Sequence, residues 1–215
     1  MSDNALLADL RPVERLALAY APTRARPATL ALLALDTRLG AIVRQVREPI
    51  AAQLRLAWWR ETLARPASEL PDGEPLIAAL RQWEDRSRLA DLATGWEALL
   101  SETLTPEVIA DFVSGRGAAF ACLAQELGVE AVGNAEQAAR LWALADLAAN
   151  ISDGEERALV VDYGKALTPP PLSSSLRPLA ILAGLGAAAL RKGGAPLLSG
   201  PGSALLALRI GWTGR

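Results

Sequence analysis

The sequence predicts an all-α protein, and three observations support this fold class. Apolar residues recur at spacings of three and four, as they do along one face of a helix. Proline opens several of these apolar segments, a position where it suits a helix start. Alternating β-branched runs are missing, and LVVDY at 159–163 is the single strand-like stretch. With 215 residues, the chain can form one domain with a sizeable core.

The order of the elements follows from these helix signals. Four prolines predict helix starts, namely Pro12, Pro27, Pro49 and Pro106. Thr105 is a candidate N-cap, and Asn134 followed by Gln137 resembles a capping box. Helices are predicted near residues 11–21, 27–47, 49–65, 74–84, 87–101, 105–128, 134–151 and 174–191. Linkers are predicted at 65–73, 151–157, 168–175 and 191–202. None of these linkers forces a boundary, so a single domain over residues 1–215 is expected, with a short C-terminal part from about 168.

Composition excludes several classes of function. Lys+Arg is 22 and Asp+Glu is 24, a balance that gives no support to nucleic-acid binding. The chain has no histidine, which removes histidine-based catalytic triads, general bases and metal ligands. Cys122 is the one cysteine, and we interpret it as a small buried thiol in a reducing compartment rather than a nucleophile. Any chemistry must therefore use carboxylates, arginines, hydroxyls or a metal held by oxygen.

The sequence gives little sign of membrane insertion. MSDNALLADLRP carries acids early and has no long apolar run, which is atypical of a secretory signal. The longest uncharged apolar stretch, LAILAGLGAAAL at 179–190, covers about 18 Å as a helix, short of the ~30 Å core of a bilayer. We therefore expect a cytoplasmic protein, for which peripheral contact with a membrane stays open.

ALDTRLG at 34–40 places one aspartate among the leucines of a helix. A core-facing seam follows a 3-4-3-4 spacing and comprises Leu32, Leu35, Leu39, Ile42 and Val46. Asp36 lies roughly 90° from the centre of that seam, which predicts a boundary position. Its neighbours three and four residues away are apolar, so no ion pair within the helix is available. Asp36 is thus a candidate catalytic acid or metal ligand without a local partner.

EPIAAQLRLAWWRETL at 48–63 predicts a tryptophan-rich helix with Arg55 near the middle of its apolar face. One interpretation stacks Arg55 on Trp59 in the core, with the guanidinium reaching solvent. The other makes Arg55 and Trp59 ligand-binding residues beside a buried anion, either Asp36 or a ligand phosphate. In an antiparallel helix pair, Asp36 and Arg55 would differ in height by about 7–8 Å. A direct pair between them is therefore a hypothesis only.

Residues 28–63, and RLAWWRETL at 55–63 in particular, resemble the N-terminal signature of the squalene/phytoene synthase family. The pattern in residues 28–63 is similar in particular to a divergent branch of the family. Weaker similarity continues through 73–80, 111–128 and 139–157. The resemblance implies a single all-α domain of isoprenoid-synthase type with a central apolar cavity between helices. Active members join two prenyl diphosphates head to head. Two aspartate-rich motifs on facing helices hold Mg²⁺ against the diphosphates.

The chain departs from the family at the first motif, for which two registers exist. Matching ALDT places Asp36 at the first acid, but the acids expected three and four residues later become Leu39 and Gly40. Matching the family's YAxxR pattern places Gly40 and Arg44 at the two aspartates. The second register is preferred because it keeps the distance to the EP and WWR strings. It replaces a metal ligand by a residue of opposite charge.

The second motif is altered as well. The family's ILRDVGED pattern falls on LAANISDG at 147–154, where Asn150 and Gly154 replace the aspartates. Asp153 and Glu156 stay candidates for a metal site, and Asp153 a candidate catalytic residue together with Asp36. The simpler interpretation of ISDGEE is a solvated acidic turn. SGRGAAF at 114–120 has too few glycines for a phosphate-binding loop.

These departures predict a squalene/phytoene synthase-like protein without catalysis. By resemblance to the divergent branch, which includes a complex I assembly factor that lacks intact motifs, it would bind an isoprenoid or other apolar ligand, or assist assembly of a membrane complex with a protein partner. The alternative is an active prenyl-diphosphate synthase with a relaxed Mg²⁺ site, and a magnesium cofactor is expected only in that case. A plain helical interaction module would instead have a filled core without a ligand-sized pocket.

Overall fold

A computed structural model describes residues 2–45 and 48–214, and within these ranges it confirms the all-α class. The helices are α1 (Ser2–Asp9), α2 (Pro12–Leu18), α3 (Arg26–Arg44), α4 (Pro49–Ala64), α5 (Pro75–Leu80), α6 (Leu89–Ala98), α7 (Pro106–Glu126), α8 (Val132–Asn150), α9 (Gly154–Gly164), α10 (Arg177–Arg191) and α11 (Pro201–Thr213). Two 3₁₀ turns lie at Ala67–Glu69 and Ser174–Leu176. Val46, the last residue of the predicted seam, and the end of the predicted helix 27–47 lie outside the described residues.

Helix α7 is central to the bundle because it packs extensively against both α6 and α8. Helix α8 also packs against α10, and α3 contacts α6 and α7. A Cβ atom on Gly95 would lie 3.2 Å from the Cα of Phe112, so α6 and α7 approach backbone to backbone. This arrangement brings α3, α6, α7 and α8 together around one region of the interior.

The predicted helix starts are largely confirmed. Each of the four prolines occupies the first or second position of its helix, namely Pro12 in α2, Pro27 in α3, Pro49 in α4 and Pro106 in α7. Thr105 caps α7, since its Oγ1 accepts a hydrogen bond of 3.3 Å from the backbone N–H of Val108. The capping box predicted at Asn134 is wrong: α8 begins at Val132, and the Asn134 side chain donates to the carbonyl of Pro171 at 2.9 Å.

Three of the described helices, α1, α9 and α11, are absent from the sequence-based prediction. The single strand-like stretch, LVVDY, lies inside α9 and is helical. The acids before it form a helix start rather than a turn. Asp153 is the N-cap of α9, and its Oδ1 accepts hydrogen bonds from the backbone N–H groups of Glu155 and Glu156 at 2.9 and 3.0 Å. The predicted linker 191–202 ends where α11 begins.

The apolar faces of α3 and α4 differ from expectation in opposite ways. In α3 the seam leucines are buried as predicted, but burial extends right round the helix from Thr29 to Thr37. In α4 the predicted wide apolar face is divided, because Trp59 is buried whereas Leu54 and Trp58 are 67% and 46% exposed. Helix α4 therefore covers the core with a narrow face and leaves an apolar stripe outside.

The uncharged stretch at 179–190 lies in α10, where most of its side chains are buried inside the bundle. Among the described helices, none combines the length and the hydropathy that crossing a membrane requires.

Candidate functional site

Asp36 is buried, with 1% of its surface exposed, and it is not a boundary residue as predicted. Its partners come from two other helices. The indole N–H of Trp96, on α6, donates to Oδ1 at 2.9 Å, and Nε of Arg116, on α7, donates to the same oxygen at 3.1 Å. Nη2 of Arg116 lies 3.0 Å from Oδ2. Asp36 therefore has two partners, Trp96 and Arg116, that local sequence does not reveal.

Arg116 is the centre of this arrangement and is fully buried. Its Nη2 donates to Oδ2 of Asp146 on α8 at 3.1 Å, so one guanidinium joins Asp36 to Asp146. Three aromatic rings surround it, with centroids 4.3 Å from Cζ for Trp142, 4.8 Å for Phe112 and 5.2 Å for Trp96. Such rings offer their negative faces to a desolvated cation and stabilise its charge.

A second arginine, Arg11, extends the network to α2. Its Nη1 donates to Oδ1 of Asp146 at 2.7 Å, and its Nε donates to Oε1 of Glu14 at 2.8 Å. Glu14 also accepts hydrogen bonds from the backbone N–H of Arg11 at 2.8 Å and from Oγ1 of Thr37 at 3.2 Å. We call Arg11, Glu14, Asp36, Arg116 and Asp146 the buried charge network.

The pKa shifts in the network follow from burial and pairing. Burial raises the pKa of Asp146, but the Arg116 and Arg11 charges outweigh this effect and hold it below its usual range. For Glu14, burial dominates over Arg11, so the pKa of Glu14 is raised. For Arg11, burial is outweighed by Asp146 and Glu14, which raise its pKa. Asp146 and Arg11 are therefore held in their charged forms by each other.

Gly40 and Arg44, where the preferred register expects two acids, act together. A Cβ atom on Gly40 would lie 2.8 Å from both Nη1 of Arg44 and Cη2 of Trp96. Glycine therefore leaves the space into which the Arg44 guanidinium folds back, 5.7 Å from the centroid of the Trp96 ring. Among the described residues, none places a carboxylate within ion-pair distance of Arg44. Arg44 is thus a cation available to a ligand.

Arg44 lies at the wall of a cavity of about 260 Å³ beside the buried charge network. Apolar side chains from four helices and the α6–α7 connection form much of the wall. The Trp96 ring, on α6, belongs to this apolar wall, and the polar lining residues are Arg44, Ser101, Glu102, Asp146, Asn150 and Glu156. The cavity can hold an apolar group whose polar end faces Arg44.

The predicted site residues separate into different places. Asp36 lies in the buried charge network, and Glu156 lines the cavity, whereas Asp153 is the exposed N-cap of α9. Arg55 is exposed and lines a different groove between α3 and α4. Trp59 is buried and meets Trp58 edge-on at 5.1 Å. The hypothetical Asp36–Arg55 pair is wrong, because Asp36 is paired with Arg116.

Sequence reasoning missed Arg116, Asp146, Arg11, Glu14 and Trp96. A usable signal existed for two of them. Arg116 and Asp146 each lie in a long helix with no other charged residue within four positions, a pattern similar to the one that drew attention to Asp36. Lone charges of opposite sign in such helices indicate a buried pair.

The residues present do not fit a Mg²⁺ site of the aspartate-rich type. Asp36 and Asp146 direct their oxygens at guanidinium groups, and the preferred register expects an acid where the chain has Arg44. Within the described part of the chain, no three acidic, cysteine or histidine residues are grouped as a metal ion would require. Magnesium favours near-ideal octahedral oxygen coordination, which two arginine-paired carboxylates do not provide.

Comparison with known proteins agrees with the resemblance noted in the sequence. The squalene/phytoene synthase family model matches residues 15–101, a segment that includes Asp36, Gly40, Arg44 and Trp96. No curated protein and no solved structure matches the chain. Residues 15–101, about two fifths of the chain, are thus similar in sequence to the squalene/phytoene synthase family.

Proposed function

We propose that this protein binds an elongated apolar ligand with an anionic end, such as an isoprenoid acid or phosphate, and does so without Mg²⁺ and without prenyl transfer. The single observation that carries the proposal is Arg44, a cation at the cavity wall where the preferred register expects an acid. An arginine can hold a carboxylate or phosphate directly through paired N–H donors. A magnesium-bridged diphosphate would instead need acids at that place.

The size of the cavity supports a ligand that enters only in part. Ligand pockets are commonly about 300–1,000 Å³, and this cavity, at about 260 Å³, is slightly smaller. The cavity suits the anionic end and the first apolar carbons of a ligand chain. The remainder of the ligand would lie outside the cavity. A filled core, as a plain interaction module would have, does not accommodate such a group.

The buried charge network, which reaches the cavity wall at Asp146, also supports the proposal. Asp36 and Asp146 are bound to arginines, so they neither recruit a metal ion nor approach a substrate as free bases. Asn150 replaces a second acid, and its amide donates to the backbone carbonyl of Asp146 at 2.7 Å. Since the carboxylates of the network are paired with Arg116 and Arg11, Arg44 is the arginine of the cavity wall that a ligand can approach.

Calorimetric titration of the purified chain tests this proposal. The ligands are farnesoic acid, farnesyl diphosphate and farnesol, each with EDTA and with Mg²⁺. We expect each of the two anions to bind as tightly with EDTA as with Mg²⁺. Both should bind more tightly than the alcohol. Arg44→Ala should weaken anion binding about tenfold or more, because a charge-assisted contact is worth roughly 1.5–3 kcal/mol. Arg55→Ala is the matched control, since Arg55 is an exposed arginine outside this cavity.

The alternative, an active synthase with a relaxed metal site, gives a different result in the same experiment. It requires diphosphate binding that depends on Mg²⁺, and release of pyrophosphate when Mg²⁺ is present. Either result would overturn the proposal. Binding that Arg44→Ala leaves unchanged would also overturn it.

A further inference from the structure

Helix α11 is apolar on all sides although only one side faces the protein. Its sequence, PGSALLALRIGWT, contains one charged residue, Arg209. On the inner side, Ala207 and Ile210 are buried, and Ile210 packs directly on Gly184 of α10. Gly211 lies against the ring of Tyr20. These close contacts fix which side of α11 faces solvent.

The solvent side carries an apolar stripe. Leu205, Leu208 and Trp212 are 65%, 44% and 82% exposed. At about 100° per residue these three positions fall within about 60° of arc. A surface helix of a globular protein ordinarily places polar residues there. The apolar stripe is therefore a candidate interaction surface.

Charge is distributed unevenly along the chain in a way that identifies this partner. All 24 acidic residues precede residue 163, together with 16 of the 22 cationic residues. From residue 163 onward there are six cationic and no acidic residues. The part of the chain that carries the apolar stripe is thus uniformly basic, which complements a negative surface.

Two of these cations lie next to the stripe in a groove. Arg191 of α10 and Arg209 of α11 line a cavity of about 470 Å³, together with Pro169, Pro170 and Leu206. The groove offers two guanidinium groups above an apolar floor. That combination fits the phosphate of a lipid headgroup and the upper part of its acyl chains.

We propose that α11 docks this protein on an anionic lipid bilayer, with Leu205, Leu208 and Trp212 inserted at the headgroup level and Arg191 and Arg209 facing lipid phosphates. An interfacial helix of this kind combines apolar insertion with electrostatic attraction, and both parts are present here. The docking surface is separate from the Arg44 cavity, so it does not depend on the proposed ligand function.

Sedimentation of the full chain with vesicles tests the proposal. Vesicles are phosphatidylcholine alone, or phosphatidylcholine with about one third phosphatidylserine, at low and high salt. We expect binding to the anionic vesicles that is at least tenfold stronger than to neutral ones and weaker at high salt. Leu205→Ser with Trp212→Ser, and separately Arg191→Gln with Arg209→Gln, should each reduce it at least tenfold.

The chain offers a matched control on α4. Leu54→Ser with Trp58→Ser removes a leucine of 67% exposure and a tryptophan of 46% exposure from a stripe outside the basic segment. This variant should retain vesicle binding. All the substituted residues are exposed, so circular dichroism and melting temperature should stay unchanged and exclude unfolding as a cause.

Three outcomes would overturn the proposal. One is equal sedimentation with neutral and anionic vesicles, or none with either. Another is an equal loss of binding in the α4 control. The third is a dimer in solution that the Leu205→Ser, Trp212→Ser variant dissociates, because a second copy of the chain would then cover the stripe.

Discussion

Asp36 and Arg116, 80 residues apart in sequence, form a fully buried ion pair in which Nη2 lies 3.0 Å from Oδ2 and Nε donates to Oδ1. The pair joins α3 to α7, and Arg116 continues to Asp146 on α8. Three helices are therefore linked through one guanidinium. This pairing makes Asp36 a structural carboxylate in the present protein.

Removing one partner of this pair should strongly destabilise the fold. Asp36→Ala leaves the Arg116 charge buried with one carboxylate fewer, and the expected loss is about 3–5 kcal/mol in the free energy of unfolding. The double variant Asp36→Ala, Arg116→Met should lose less free energy of unfolding than the sum of the losses in the two single variants. Urea unfolding measures all of them, with Arg55→Met as an exposed-arginine control. Strictly additive losses would contradict the pairing.

Acid stability should depend on Asp146. Its pKa is lower in the folded protein than the ordinary value of 3.8, so the unfolded chain takes up the proton first as the pH falls. Its stabilising contribution is complete above the ordinary pKa and is lost as the pH falls from there through the lowered pKa. Asp146→Asn should therefore lower stability at neutral pH and flatten the decline below about pH 4.

Melting temperatures from pH 6 down to pH 2 measure this effect. Asp162→Asn is the control, since Asp162 is exposed and pairs only with Lys165 nearby at 2.6 Å. If the melting temperature of Asp146→Asn falls with pH as steeply as that of the unmodified chain, Asp146 is not the cause of the acid sensitivity.

Gly40→Ala should destabilise the protein although alanine favours helices. In an open helix interior this change ordinarily gains up to about 1 kcal/mol. Here the added Cβ would lie 2.8 Å from Cη2 of Trp96 and from the Arg44 guanidinium, so both must move. We expect a lower melting temperature and anion binding as weak as in Arg44→Ala.

Gly133→Ala provides the comparison for this prediction. Gly133 is also helical, in α8, and a Cβ there meets nothing within 4 Å. The melting temperature of Gly133→Ala should be equal to or higher than that of the unmodified chain. If the two alanine variants behave alike, the close packing of Gly40 against Trp96 is not as described.

Cys122 should react slowly with alkylating reagents. Its thiol is buried, donates to the carbonyl of Asp85 at 2.9 Å, and has a pKa that burial raises to about 12. The reactive thiolate is therefore scarce at neutral pH. Labelling with iodoacetamide, followed by mass spectrometry, should be at least tenfold slower in the native than in the urea-unfolded protein. Equal rates would contradict a buried thiol.

Local signals in the sequence predicted what depends on neighbouring residues. The prolines, the Thr105 cap and the buried Cys122 are confirmed because each follows from a short stretch of chain. The environment of Asp36 was beyond such reasoning, since its partners are 60 and 80 residues away. The predicted boundary position considered α3 alone, whereas α6 and α7 supply the partners that bury Asp36.

Helix α11 was missed for a different reason. Glycine, proline and serine before it indicate a loop, and its apolar residues show no single face because both sides are apolar. Periodicity detects a helix by contrast between faces, and this helix has little contrast. The candidate site was also predicted only in part: the acids that motif matching favoured lie apart, while the Arg44 guanidinium lies against Gly40 at the cavity wall.

Gly40 also limits which side chains can occupy this position of α3. An acid at position 40 would bring a Cβ into the Trp96 ring, so Trp96 would have to move or be replaced by a smaller residue. A smaller residue at 96 would remove the indole N–H that donates to Asp36 and one ring that covers Arg116. An acid at position 40 would therefore need accompanying changes on α6 and around Arg116 on α7.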